Sequence, residues 1–410
     1  MKPMKSIVLF ACLLPLSNAM AAALVTGFET AQNVDPQFLA AKSEKDIGML
    51  NARVARSAYL PEFQASRAQY QNQSQQSTTL TLSQPVFDAE RLTTFFEKNP
   101  RAALAEANFL GKTQDLATRL VKAVTELVRA RETLRDNGVK IKALAQQAES
   151  AKRMYELGQG TITDLRDTEV RVAQARATDL SLKARLDTAV RQFQAITGHV
   201  PPSGAFSLGR GEKPLALKPL EECLADASSN NPQILMAKQN LRMSELNQWR
   251  VKGSNFPIVN AVFSRTQVGG SNTSYSGLQV SLPLKAGGYM QAWGSGASVE
   301  QMREQLRDAE EQSRLTVERT RAQVEAGHAE VAIRLSAIRA AELSVEANEM
   351  SFRGGVRTRV DVLNAIQALS QAQQDYVETA MTLAEHLLDL ELQIATPIPV
   401  ALKDIENTIF

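Results

Sequence analysis

Apolar residues recur every seven positions along two stretches of this chain. In one, Leu165, Val172, Leu186 and Phe193 share a heptad position with Asp179, and Thr168, Ala175, Leu182, Ala189 and Ile196 follow three residues behind. In the other, Val362, Leu369, Tyr376, Leu383 and Leu390 keep the same spacing. That period predicts helices packed by coiled-coil contacts against antiparallel neighbours. The neighbours are the runs just before them. The first, about Ala102 to Leu157, is rich in Ala, Glu, Gln, Arg and Leu and is interrupted only by Gly111 and Gly138, and Val299 to Phe352 holds only Gly327. At about 1.5 Å per residue each run predicts a helix on the order of 80 Å, longer than a compact domain needs. Leu157-Gly158-Gln159-Gly160-Thr161 and Gly354-Gly355-Val356-Arg357-Thr358 read as the turns that join each pair.

Upstream of each long run the period changes from helical to twofold. Phe28 to Ala58 predicts a helix, broken or bent at Pro36 and ended by Pro61. Glu62 to Gln84 then turns to Gln, Ser and Thr with alternating apolar residues: Leu80 and Leu82 take one side, and Thr79, Thr81 and Ser83 the other. This predicts a β-hairpin with its tip near Gln71 to Ser77. In the second half Ile258 to Val268 predicts a strand, Gly269-Gly270 a turn, and Tyr275 to Leu284 a return strand with Leu278, Val280 and Leu282 on one face. Strands of about ten residues match the length of a tilted bilayer-spanning strand. The strands alone are equally compatible with solvent-exposed hairpins on a soluble domain.

The two halves are copies of one unit. Pro36 returns as Pro232, Pro61 as Pro257, Pro85 as Pro283, Gly158 as Gly355 and Asp164 as Asp361, at offsets of 196, 196, 198, 197 and 197 residues. A near-constant offset across prolines, glycines and a carboxylate marks a tandem duplication, too long in period for a solenoid. The expected division is a leader over 1–21, a first repeat over 24–198 with its hairpin at 61–86, a linker over 199–216, a second repeat over 217–396 with its hairpin at 257–284, and a tail over 397–410.

Lys2 and Lys5, an apolar run from Ile7 to Leu16 and the small-residue site Ala19-Met20-Ala21 read as a secretory leader cleaved after about Ala21. Cys12 follows too short an apolar run for a lipobox. Without the leader, Cys223 is the one cysteine, which excludes an internal disulfide and a cysteine-based metal cluster and reads as a small apolar filler. Of 46 basic residues, 44 remain after Lys2 and Lys5 leave, against 44 acidic, so no field attracts nucleic acid. No enzyme is expected. His199, His328 and His386 are scattered, Gly294-Ser295-Gly296 lacks the context of a phosphate loop, and no zinc-protease or serine-elbow motif occurs. Met350 and Met381 read as core residues rather than a copper path, and no cofactor or metal is expected. Arg353 and Arg359 read as solvated charges.

Four strands cannot close a barrel around any interior, and open edges in lipid leave backbone groups unpaired at several kcal/mol each. If the hairpins enter a membrane, closure must come from other copies, and a conduit needs at least three.

Gly355-Val356-Arg357-Thr358-Arg359-Val360-Asp361-Val362-Leu363-Asn364-Ala365, Ser281-Leu282-Pro283-Leu284 with Gly287-Gly288, Gln84-Pro85-Val86-Phe87-Asp88 and Ala195-Ile196-Thr197-Gly198 resemble, in order and over both halves, segments of the TolC family of outer-membrane efflux and secretion ducts. The resemblance implies a homotrimer: a mainly α chain whose four strands join those of two other copies in a 12-strand outer-membrane β-barrel, continued by a 12-helix periplasmic α-barrel. It also implies a periplasmic membrane-fusion adaptor and an inner-membrane ABC transporter or proton-driven pump as partners, with type I protein secretion as the first reading and multidrug efflux as the alternative. A reading of another class is a periplasmic coiled-coil adaptor. Carried over by residue, Asp361 matches a carboxylate of the constriction, Asn364 stands where close members have a second aspartate, and Arg357 matches a gate arginine whose partners fall at Thr163 and Asp164. Phe352 replaces a gate tyrosine, removing a hydroxyl. Thr161 with Asp164 and Thr358 with Asp361 also have the spacing of helix caps, and the two roles are compatible.

Overall fold

The computed structural model describes residues 23–69, 76–202, 204–209, 211, 214–283 and 287–410. The leader, Cys12, residues 71–75 of the expected hairpin tip and Leu284 lie outside them. In chain order the first half is α1 (Ala23–Val34), α2 (Pro36–Ser57), β1 (Glu62–Gln69), β2 (Gln76–Phe87), α3 (Ala89–Phe96), α4 (Lys98–Glu156) and α5 (Ile162–Thr197). The second half is α6 (Leu220–Asn230), α7 (Pro232–Gly253), β3 (Ile258–Val268), β4 (Ser271–Ser281), α8 (Gly288–Arg353), α9 (Arg359–Gln393) and α10 (Ile398–Ile409).

The strands form one antiparallel sheet in the order β1-β2-β3-β4, so both hairpins join edge to edge through β2 and β3. Gly269 and Gly270 take φ of 51° and 94°, the left-handed pair that a two-residue hairpin turn requires. β4 therefore starts directly after them at Ser271 and ends at Ser281, rather than running from Tyr275 to Leu284. The pairing register puts Phe63, Leu82 and Phe263 in one row, and Ala261 beside Leu278 and Val259 beside Val280 on the same face. These side chains point outward: Phe63 is 67% exposed and Leu278 71%. On the opposite face the Thr79 and Thr266 hydroxyls lie 3.2 Å apart, Thr81 and Ser264 lie 3.3 Å apart, and Ser264 is only 3% exposed. An apolar exterior over a polar, hydrogen-bonded interior is the pattern of a sheet in lipid. No described helix is long and apolar enough to cross a membrane.

Each strand is continued by a helix. The sheet order is carried downward as α2, α4, α7 and α8, with α2 packed on α4, α4 on α7 and α7 on α8. At 59 and 66 residues, α4 and α8 extend about 90 and 100 Å. α3, a short helix capped by Asp88 and separated from α4 at Glu97, was not expected. α5 returns against α4 and α9 against α8. Their buried sides are the heptad sets: Leu165, Thr168, Val172, Ala175, Leu182, Ala189 and Phe193 on α5, and Val362, Tyr376, Leu383 and Leu390 on α9.

The main core sits midway along α4, where Leu116, Leu120, Val124, Leu127 and Val128 are sealed by Leu24 and Phe28 of α1, Phe193 of α5, and Met381 and Leu387 of α9. Residues 397–410, expected as a tail, instead hold an amphipathic helix, Ile398–Ile409. Ile398, Leu402, Ile405 and Ile409 of α10 insert into this core, and Phe410 meets Phe206 edge-on. Twelve residues with apolar positions three or four apart suffice for such a helix, although Pro397 and Pro399 disguise its start. Met381 is buried as expected, but Met350 is 58% exposed. Cys223 is a buried filler whose thiol burial pushes up.

Duplicated caps have diverged. Asp35 accepts from Phe38 N at 2.8 Å and Asn231 from Gln233 N at 2.9 Å, each followed by a proline at the first helical position. Arg119 of α4 then grips Asp35 in a two-pronged pair at 3.0 and 2.7 Å, whereas the Asn231 amide donates to Gln393 Oε1 at 2.9 Å. The Arg119 hydrogen bonds hold the Asp35 carboxyl below its ordinary value. Replacing Asp35 by Ala removes cap and ion pair together and should cost about 3 kcal/mol, and Asp35→Asn, which keeps the cap, should cost less. A depressed native pKa stabilises above the unfolded value and is lost as pH falls through the native one. The wild-type advantage over Asp35→Asn should therefore be full at neutral pH and shrink below about pH 4, as read by thermal unfolding followed by circular dichroism in detergent.

Candidate periplasmic gate

The end of the helical body farthest from the sheet is built from two turns. Gly158 and Gly355 adopt φ of 71° and 73°, which lets each chain reverse just past its long helix. Gln159 N then bonds Met154 O at 2.8 Å and Val356 N bonds Ser351 O at 2.9 Å, so both turns close in the same way. Thr161 caps α5 by accepting from Asp164 N at 3.1 Å. At α9 the cap is reciprocal: Asp361 Oδ2 accepts from Thr358 N at 2.9 Å and from its hydroxyl at 2.8 Å, while Thr358 Oγ1 accepts from Asp361 N at 3.3 Å. Those Thr358 bonds, with a smaller contribution from Arg357, hold the Asp361 carboxyl below its ordinary value. Asp361 is thus both the cap and a fixed charge at the tip.

The arginines divide differently from expectation. Arg357 is exposed, and its ion-pair partner is Asp361 of its own helix at 4.0 Å. Among the described residues, no hydrogen bond or ion pair within the protomer joins Arg357 to Thr163 or Asp164. Thr163 is exposed and Asp164 half-buried, its charge facing Arg359. Arg359, expected as a solvated charge, is 5% exposed. Its Nη1 donates to Gln147 O at 3.1 Å and Oε1 at 3.2 Å, Nη2 lies 3.1 Å from the Met154 sulfur, and the guanidinium stacks 4.7 Å over the Phe352 ring. Burial lowers its pKa, with Asp164 opposing. Arg353 does remain solvated.

Phe352 serves as the platform for a cation through its ring face, which needs no hydroxyl, and packs beside the small core of Leu144, Val172, Val362, Leu363 and Ile366. Asn364 is exposed and its Oδ1 accepts from Arg171 of α5 at 3.3 Å. Arg359 ties α9 to α4, and Arg171 ties α5 to α9, so both hairpins of the protomer are pinned at the tip. Sequence reasoning missed Arg359 and Gln147 because they stand 212 positions apart.

The sequence profile described as outer membrane efflux protein matches residues 28–199 and again 223–395. The chain belongs to this family. It is an outer-membrane channel that reaches into the periplasm, and channels of the family work with adaptors and inner-membrane transporters. The proteases secretion protein PrtF of Dickeya chrysanthemi is 26% identical, the match covering 95% of this chain and 92% of that one. The alkaline protease secretion protein AprF of Pseudomonas aeruginosa is 25% identical, over 89% of this chain and 84% of its own. The crystal structure of the outer membrane protein VceC from Vibrio cholerae superposes with a TM-score of 0.76 at 16% identity, over 90% of this chain and 95% of that one. A periplasmic coiled-coil adaptor is set aside by the double family match.

If the Arg359 clamp holds the tip, Arg359→Ala should raise single-channel conductance in planar bilayers several-fold. Arg359→Lys, which cannot stack and bridge with a planar fork, should fall near the alanine variant. Unchanged currents in both would remove the clamp from gating.

Proposed function

We propose that three copies of this chain form one duct, a 12-strand barrel in the outer membrane continued by a 12-helix barrel in the periplasm, and that it serves type I protein secretion. The observation that carries the assembly is the sheet: β1 and β4 each present an unpaired edge while their apolar row faces outward. In lipid those edges must pair with further strands. Three copies are the smallest number that leaves a lumen, and α2 and α8, at the two ends of the helix order, then meet between copies.

The secretion reading rests on the two relatives named for protease secretion, each matched over most of its length. In this reading an ABC transporter drives an unfolded polypeptide through an adaptor into the duct, and the duct itself does no chemistry. The tip is the gate. Asp361 from each copy forms a ring of three carboxylates, Asn364 adds no second ring, and Arg357 is free to reach Thr163 and Asp164 of the neighbouring copy. Cation preference should accordingly be weak, and should fall further in Asp361→Ala.

Cysteines on the polar face of β1 at Gln64 or Ser66, paired with cysteines at Gly277 or Gln279 of β4, should produce disulfide-linked species that stop at the trimer on denaturing gels. A ladder ending at the dimer, or no cross-link in any pair, would sink the assembly. Leu278→Arg, on the outward face, should impair membrane assembly by about 2–4 kcal/mol, and Gln279→Arg, facing inward, should be tolerated. Deleting the gene should abolish a secreted polypeptide from the culture medium with drug susceptibility unchanged. The opposite outcome would assign the duct to multidrug efflux.

A further inference from the structure

The strand register places a groove on the lipid side of the protein, just below the sheet. A bulge between Pro85 and Phe87 sets Phe87 opposite Val259, which stands beside Val280 in the outward apolar row. Residues directly opposite share a face, so Phe87 ends that row where the sheet meets the helices. β2 leads down into α3 and α7 leads up into β3, and the two helices pack side by side beneath the two central strands. Gly253 of α7 lies so close to Ala89 of α3 that a side chain there would come within 2.6 Å of the alanine methyl, which draws the helices together at their upper ends.

Phe87, Leu92 and Phe96 of α3, Leu246 and Trp249 of α7, and Phe256 just before β3 line a groove of about 410 Å³. On each helix the lining positions recur three or four apart, the spacing of an apolar stripe that ordinarily packs against another element. Here the stripes stay open: Leu246 is buried, but Trp249 is 68% exposed and Phe96 52%. Thr93, in the same wall, spends its hydroxyl on Ala89 O at 2.7 Å. Arg242 stands at the lower end, about 16 Å along the helix from Gly253. Its Nη1 donates to Glu245 at 2.9 Å, and a guanidinium has five hydrogens to give.

A second copy does not cover this groove. α3 and α7 are central, and copies joined through β1 and β4 meet at α2 and α8. The groove is continuous with the lipid-facing row at its upper end and cationic at its lower end. An inner-leaflet phospholipid has the same polarity, with its chains toward the bilayer and its phosphate toward the periplasm. Trp249, apolar on its ring and polar at its N–H, suits the level between them.

We propose that this groove holds one glycerophospholipid of the inner leaflet, its phosphate on Arg242 and one acyl chain lying along α3 and α7 to Phe87. The chain covers an apolar surface that would otherwise face water, and its far end enters the hydrocarbon beside the sheet. The lipid thereby ties the top of the helical body to the membrane.

Trp249 and Trp293 are the two tryptophans of the chain, so Trp293→Phe leaves the groove indole as the one reporter. The assembled protein, purified in detergent, is titrated with phosphatidylglycerol brominated on one acyl chain, because bromine quenches an indole that it touches. Quenching should saturate near one lipid per chain, be reversed by unbrominated phosphatidylglycerol, and be lost in Phe96→Ser. Arg242→Ala should weaken binding about fivefold, the worth of one arginine against an anionic lipid. If Phe96→Ser does not assemble, then saturation, reversal and the Arg242→Ala shift decide. Quenching that grows in proportion to lipid without saturating would mark ordinary solvent lipid, and no quenching would mark a groove for a protein partner. Either result, or equal affinity in Arg242→Ala, would overturn the proposal.

Discussion

A bilayer interior offers no water to an unpaired peptide group, and the rest of this molecule is arranged around that fact. One chain supplies a sheet with two bare edges, an apolar skin and a polar lining held by threonine and serine hydroxyls. Such a sheet is stable in lipid only as part of a closed cylinder. Because β1-β2-β3-β4 passes its order to α2, α4, α7 and α8, the curvature of that cylinder is imposed on the helices below. The tip inherits its position from strands some 90 to 100 Å away through helices of nearly continuous rise.

Duplication gave the molecule matched elements, and selection then used them unequally. The cap of α2 is a charge gripped by Arg119, while the cap of α7 is a neutral amide that reaches Gln393. At the tip the two turns close alike, yet only the α9 turn has the reciprocal cap and the buried arginine. α5 and α9 are thus not interchangeable. One returns with a simple cap, and the other is clamped across to α4 by a cation on an aromatic ring.

Much of this was legible. Heptads on α5 and α9, alternation in the strands, and the repeated prolines and glycines are local patterns, and local patterns survive in a linear sequence. The capping pairs Thr161 with Asp164 and Thr358 with Asp361 were legible for the same reason. Arg359 was not, because its burial is caused by α4 lying across it, and nothing within one turn of helix encodes that. α10 was obscured by its prolines, and Met350 was misplaced because a methionine does not say which side of a helix it occupies. The start of β4 differed because a two-glycine turn spends no residues on a loop.

The position of α10 has a consequence for biogenesis. Its isoleucines and leucine complete the same core as Leu24 and Phe28, so α1 and α10, the first and last of the described helices, are packed in one place. Contacts of that sequence separation form slowly, and here they wait until α10 has followed the other helices into the periplasm. Until then the middle of α4 has α1 and α5 against it but lacks Ile398, Leu402, Ile405 and Ile409. The core around the middle of α4 is therefore among the last parts of the fold to close.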